Sequence, residues 1–385
     1  MEIVLGTNFD DRLVGEVDSL PVSTFFGGFP YSFTGGGRPP YILPSLEEDR
    51  FRRHVQRIHS AGRKFFATLN SNDLGLKEYR SEFLPRFRDE VDHLLDLGVD
   101  GFVVALPVLM EALHADHPEV PISVSTFARI RTVNQARYFR RLGADTVILE
   151  EANRDFALIR GLVREGLTVE VLTNQTCIRD CPYRAHHLNT SSLASQTGAE
   201  EVGLWFEYPL LECGTEVLRD PSRLISSIWV RPEDLAFYEE QGVHRFKISG
   251  RNRTTDWLVR AARAYSARKY EGNLLDILSY VQVKGPSHAL GTLESRGASP
   301  ETVEPLLAAF RDLSDVHIDN SAFPAGFLQR IARTDCEHTS CAACGYCAGV
   351  AEKVLRIGGR PPSAYRPPSD LPSGHPLLPH FGASG

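Results

Sequence analysis

The sequence has no stretch long and apolar enough to cross a bilayer. Its most apolar run, GFVVALPVLMEAL at 101–113, is interrupted by Pro107 and Glu111. It has no excess of basic charge either: 42 Lys and Arg stand against 49 Asp and Glu in 385 residues, for a net charge of -7. That balance argues against a protein whose affinity comes from neutralising phosphates along a nucleic acid. The opening MEIVLGTNFDDR carries acids where a secretory signal carries Lys and Arg, so a cytoplasmic chain is expected. No G-x-G-x-x-G opens a helix, and no Walker loop, H-E-x-x-H pair or Ser-His-Asp order is found, which removes the common dinucleotide, nucleotide, zinc-protease and serine-hydrolase signatures. Disulfides are equally unsupported: seven Cys is an odd number, and they fall as 177/181/213 and 336/341/344/347 instead of as scattered pairs.

Short β-like runs are plentiful: EIVLG, VSTFF, KFFATL, GFVVAL, ISVST, TVILE, TVEVLT, SSIWV and HRFKIS alternate with helical stretches over the first 250 residues. Ser45 with Glu48, and Thr132 with Gln135, read as capping boxes at the starts of crossover helices. Eight or nine strands in this rhythm predict a (β/α) barrel, TIM-like and complete or irregular, over 1–251. A helical extension follows over 252–334, then a cysteine-rich module over 335–358 and a Pro-rich tail over 359–385, expected to be extended or flexible.

In such a barrel chemistry sits at the C-terminal ends of strands. That rule nominates Asn8 and Asp10, the loop GGFPYSFTGGGRPPY at 27–41, Asn70 and Asn72, the segment Cys177 to His187, and SGRNR at 249–253. The triple glycine with Arg38 could cradle an anion on backbone N–H groups. His54 and His59 fall on a charged helix, and His114 and His117 in a Pro-containing loop, where solvation is the expectation.

CEHTSCAACGYC at 336–347 has the spacing C-x4-C-x2-C-x2-C. Its first three cysteines follow a plant-type ferredoxin rhythm and its last three a bacterial one, so iron–sulfur ligation by Cys336, Cys341, Cys344 and Cys347 is expected, with zinc as the rival. Cys177, Cys181 and Cys213 supply three thiols and need a fourth ligand: a histidine, a C-terminal cysteine or a non-protein group. Arg179, Arg184, His186 and His187 stand ready to donate to sulfur or to hold a carboxylate.

The segments ILEEANRDFALIRGL, NQTCIRDCPYRAHHLNTSS, WVRPEDLAFYEEQGVHRFKISGR and HIDNSAFPAGFLQ, with the C-terminal cysteine run, together resemble the collagenase-like peptidase family U32, in the branch with C-P-Y-R-x-x-H, over most of 1–358. The resemblance implies iron–sulfur proteins of O2-independent hydroxylation, related to a paired set in anaerobic ubiquinone biosynthesis and to proteins that hydroxylate tRNA or ribosomal RNA, with prephenate as oxygen donor. It implies a 4Fe-4S cluster on Cys177, Cys181 and Cys213. Ala236 stands where those relatives place a further cysteine, so the C-terminal four either complete this cluster or hold a second.

The expected function is hydroxylation of a small or carrier-bound organic molecule. Arg184, His186, His187, Lys247 and Arg251 would grip a dicarboxylate donor and move protons, while Arg38, Asn70 and Tyr183, with Tyr31 and Phe33, would line the substrate site. A peptidase ranks lower because no nucleophile–base pair or zinc-protease spacing is found. An RNA substrate is disfavoured by the acidic balance, and a non-catalytic cluster-bearing subunit with a paralogous partner is the remaining class.

Overall fold

Strands β1 (Glu2–Gly6), β2 (Val22–Gly27), β3 (Lys64–Leu69), β4 (Gly101–Val104), β5 (Ile122–Val124), β6 (Thr146–Leu149), β7 (Thr168–Leu172) and β8 (Arg245–Ile248) pair in chain order, and β1 pairs in parallel with β8 to close a barrel. The structure is a computed structural model that describes residues 1–29, 32–39, 43–196, 208–280, 297–367 and 371. Tyr31 and most of the Pro-rich tail therefore lie outside the described residues. Among those described, no helix is long and apolar enough to cross a membrane.

The strands read as nearly unbroken apolar runs because both faces are buried, one by the barrel interior and one by helices. Val4, Phe26, Phe66, Val103, Ile148 and Leu172, one from each of six strands, form a single interior cluster. Helices Glu48–Ser60, Phe83–Asp96, Pro107–Asp116, Val133–Arg141 and Phe156–Arg164 make the successive crossovers from β2 to β7. The capping box of Thr132 and Gln135 forms in full. That of Ser45 and Glu48 does not: the helix begins after Glu47, which makes no side-chain cap.

One expected strand is absent. SSIWV is not a strand although Ile228, Trp229 and Val230 are buried; the Val230 N–H donates to Thr173 O at 2.8 Å, past the end of β7, so the run is apolar because it is covered, not because it joins the sheet.

The chain divides into two packed units. The first, Met1–Gln175, Leu188–Glu200 and Trp229–Lys269, is the barrel; it includes helix Thr255–Ala267, which sequence assigned to the extension. The second, Thr176–His187, Glu201–Ile228 and Tyr270–Gly385, carries all seven cysteines. In it β9 (Val316–Ile318) and β10 (Leu355–Ile357) form an antiparallel pair. Asn273 pins this pair, donating to Val316 O at 3.2 Å and accepting from the Ile318 N–H at 2.9 Å.

Candidate functional site

The ends of β1, β2, β3 and β8 build the mouth of the barrel unit. Arg251, nine-tenths buried, reaches from beyond β8 to donate to Thr68 Oγ1 at 2.9 Å and to Gly36 O at 2.8 Å. Glycine at 28 makes room for it: a Cβ there would stand 3.0 Å from Arg251 Nη1. Burial, and then the charge of Arg38, bring the Arg251 guanidinium down to about 9. The same two causes lower Arg253. Three arginines thus converge, and half-buried Arg38 has no hydrogen-bond or ion-pair partner among the described residues.

The loop that carries Arg38 is cinched from below by a residue sequence reasoning missed. Glu90, on helix Phe83–Asp96, accepts from the Phe33 N–H at 2.7 Å, the Thr34 N–H at 3.2 Å and Thr34 Oγ1 at 2.8 Å. Burial raises this carboxyl's pKa, while hydrogen bonds from Ser32, Thr34 and the loop N–H groups oppose the rise. On a helix whose surface is rich in acids, nothing in the local sequence sets Glu90 apart. Phe33 lies beneath Arg86, whose guanidinium is 4.0 Å from the ring centroid. Gly37 adopts φ +64, and its N–H donates to Ser195 Oγ at 3.0 Å.

Asn70, 8% exposed, donates through Nδ2 to Ser125 Oγ at 3.3 Å, and its Oδ1 has no partner among the described residues. Asn8, Asp10 and Asn72 are held in structural work instead. Asn8 donates to Arg253 O and Thr255 Oγ1, Asp10 accepts from Thr255 Oγ1 at 2.5 Å, and Asn72 exchanges bonds with Asn189 and Ser192.

Lys247 is the next-to-last residue of β8. It lies within β8 with its side chain inside the barrel, where Nζ donates to Glu170 Oε1 at 3.0 Å and sits 3.7 Å from the Phe26 ring centroid. Burial lowers its pKa and Glu170 opposes the fall. Its ammonium is paired with Glu170 inside the barrel.

His54 also differs from expectation, being fully buried and not solvated. Its Nε2 lies 2.8 Å from Thr7 Oγ1 and its Nδ1 2.8 Å from Asp11 Oδ1. This is the order of a nucleophile, a base and an orienting acid, but Thr7 is as buried as His54 and its hydroxyl already accepts from the Phe9 N–H at 3.0 Å. The chain of bonds locks the β1 end onto helix Glu48–Ser60. His114 lies on helix Pro107–Asp116 and not in a loop.

The thiols belong to the second unit. Arg184, buried at the start of helix Arg184–Leu193, turns back to donate from Nη1 to Cys177 Sγ at 3.0 Å. Cys213, on helix Tyr208–Arg219, is pushed up to about 12 by burial and then by the charges of Cys177 and Cys181, while Arg184 acts the other way. These three thiols and one guanidinium therefore share one neighbourhood. Ser227 Oγ donates to Cys177 O at 2.7 Å and fixes the loop. Arg179 stands beside Cys336 and within electrostatic reach of Cys341.

Tyr183 packs edge-on to Tyr208 at 5.6 Å and is raised to about 12, first by its hydrogen bond with Tyr208. His186 is exposed and His187 half-buried. In the C-terminal module Ser340 caps the short helix Cys341–Cys344 and Gly345, at φ +63, ends it; Cys341 and Cys344 are exposed, Cys336 and Cys347 half-buried.

Among the described residues no three His, Cys, Asp or Glu side chains are gathered tightly enough to hold a single metal ion. The donor set around Cys177 is of another kind. It is three thiols in electrostatic reach of one another, with the Arg184 guanidinium donating to one sulfur.

Residues 43–171 match the family described as Peptidase family U32. An uncharacterized protease of Methanocaldococcus jannaschii is 24% identical over 333 residues, covering 86% of this chain and 88% of that protein. Among solved structures, the U32 peptidase Mk0906 is 21% identical with a TM-score of 0.48, over 65% of this chain and 94% of that one. A chitinase from Rhizomucor miehei is 9% identical with a TM-score of 0.40, over 70% and 100%.

Proposed function

We propose that this chain, which belongs to peptidase family U32 through residues 43–171, is an O2-independent hydroxylase of a small or carrier-bound organic substrate. In this reading a 4Fe-4S cluster is held by Cys177, Cys181 and Cys213. The oxygen comes from a carboxylate-bearing donor, for which the family resemblance suggests prephenate. The observation that carries the reading is the gathering of these three thiols around buried Arg184, whose guanidinium donates to Cys177 Sγ.

When bound, a cluster supplies one-electron redox chemistry. The chain's own residues have separate tasks. Arg184 holds the Cys177 sulfur by a charge-assisted bond and orients it. His186 and His187, at the start of the same helix, are the candidates for moving protons. Arg38 and Arg251, in the mouth of the barrel unit, bind donor carboxylates, and burial of Arg251 strengthens that attraction.

The peptidase reading rests on the relative's name. Against it, the Thr7, His54 and Asp11 chain keeps its hydroxyl fully buried, where no peptide carbonyl can approach. A non-catalytic subunit with a paralogous partner is told apart by turnover of the isolated chain.

The test is anaerobic purification with iron and sulfide analysis and electron paramagnetic resonance, followed by anaerobic turnover with 18O-labelled donor against 18O-labelled water. Label passing from donor to product supports the reading. Label from water alone, a requirement for O2, or peptide cleavage by an iron-free preparation overturns it.

A further inference from the structure

Two unmet demands lie side by side in the mouth of the barrel unit. The first is charge: Arg38 has no partner among the described residues, and the charged group that acts on buried Arg251 is Arg38, a second cation. Arg251 is nine-tenths buried and commits Nη1 and Nη2 to Thr68 and Gly36, leaving further N–H groups of its fork. Guanidiniums gathered together call for an anion, and the planar fork suits a carboxylate.

The second demand is for a donor. Asn70 Oδ1 is buried and has no partner among the described residues, while Nδ2 is fixed by Ser125. Buried carbonyl oxygens of this kind are almost always satisfied by protein, water or ligand. Asn70 stands two residues beyond Thr68, the residue that holds Arg251, so both project from the end of β3 on the same side. Gly37, the residue before Arg38, lies over the amide: a Cβ there would stand 2.9 Å from Oδ1 and 3.1 Å from Nδ2. A side chain at 37 would fill the space that a ligand group needs.

We infer that the barrel mouth recognises an organic carboxylate bearing its own hydrogen-bond donor, a hydroxy or amino acid: the carboxylate pairs with Arg38, backed by Arg251, and the hydroxyl or ammonium donates to Asn70 Oδ1. This rests on the proposed reading only in taking the mouth as the donor or substrate site, and not on the thiols. The donor hydrogen bond sets selectivity, because an analogue without the hydroxyl or amine leaves Oδ1 unsatisfied.

The experiment is calorimetric titration of the full chain, purified anaerobically, with malate, aspartate and succinate, which differ at one carbon. Malate or aspartate should bind about tenfold or more tightly than succinate, the size of one buried hydrogen bond left unmade. The better of the two distinguishes hydroxyl from ammonium. Arg38→Ala should weaken all three. Asn70→Ala should leave succinate unchanged and erase the preference, with Asn70→Ser as a second variant should the first not fold by circular dichroism. Equal binding of all three by the wild type, a preference that survives Asn70→Ala, or no binding of any at millimolar concentration overturns the inference. Repeating the titration on Cys177→Ala separates the two ideas: binding that persists there while hydroxylation and iron are absent fails the hydroxylase reading alone.

Discussion

Arg184 Nη1 donates to Cys177 Sγ across 3.0 Å, from the first residue of one helix back to a cysteine seven positions earlier. The loop that carries the sulfur is held in turn by Ser227, whose Oγ donates to Cys177 O at 2.7 Å. Removing the Arg184 bond should act on stability and on the sulfur. A hydrogen bond to a charged group contributes about 1.5–3 kcal/mol, and Arg184→Ala should lower the unfolding free energy by roughly that amount in urea. Arg184→Lys should recover less than half, because a flexible point charge does not reproduce the fixed fork. Full recovery by lysine would show that only the charge matters.

Cys177→Ala and Cys213→Ala should each remove the visible absorption and paramagnetic signal assigned to the thiol cluster, since three thiolates already leave one ligand to be supplied from elsewhere. Iron retained in full by Cys177→Ala would remove that cysteine from the ligand set.

The Lys247 and Glu170 pair is a stability element in the barrel interior. Glu170→Gln strands the buried Lys247 ammonium and should cost about 3–5 kcal/mol, whereas Lys247→Met leaves Glu170 its contact with Arg245 Nε at 3.3 Å and should cost less. The double variant Glu170→Met, Lys247→Met should regain most of it, because well-packed apolar replacements of a buried pair are often neutral. Denaturation of the four proteins gives the coupling directly. Turnover by a folded double variant would show that Lys247 takes no part in the chemistry, and a folded but inactive one would place it in the site.

The barrel was legible because period and length carry it: each apolar run between helical stretches is a strand buried on both faces. SSIWV misled for the same reason, since burial alone writes an apolar run whether or not its backbone joins a ladder. Thr132 and Gln135 form their box because they fall at the N-cap and third position of their helix, whereas Ser45 lies two residues before the N-cap Glu47 and Glu48 is already the first helical residue. Site residues on a strand end could be nominated, but their partners could not. The inward side chain of Lys247 and its pair with Glu170, diagonal to it across β7 and β8, come from strand register, which no local pattern writes. Glu90 and the burial of His54 depend on contacts 56 and 47 residues away in sequence, with no local signal.

His54 gives the fold a defined acid sensitivity. Burial is the main cause that holds its pKa below the ordinary 6.5, with Asp11 opposing. The unfolded chain therefore takes up a proton near 6.5 that the folded chain refuses until lower pH, so the unfolded state binds more protons in that window and stability falls as pH falls through it. The slope should approach about 1.4 kcal/mol per pH unit at most. Urea midpoints at pH 7.5 and 5.5 measure it. His54→Gln should be less stable at pH 7.5, having lost its bonds to Thr7 and Asp11, yet show a flatter dependence. An unchanged slope would assign the acid sensitivity to other groups.

The C-terminal module should bind its metal separately from the thiols around Arg184. Its four cysteines lie within twelve residues, and the local chain is already shaped: Ser340 Oγ accepts from the Ala343 N–H at 3.2 Å, Gly345 turns at φ +63, and helix Tyr346–Val354 follows at once with Cys347 in its first turn. Cys341 and Cys344, three apart on one helical turn, face the same side and remain exposed, so a cluster needs no rearrangement of a core to reach them. A chain carrying serine at 336, 341, 344 and 347 should therefore keep the Cys177-dependent signal while iron falls from about eight to about four per chain, two cubanes becoming one. About four iron in the wild type, all lost in the serine variant, would instead make the two groups ligands of one shared centre. Stoichiometric zinc with no change in iron would make the module a structural knuckle, and the loss of stability on chelation would then measure how far it holds β9 and β10 together.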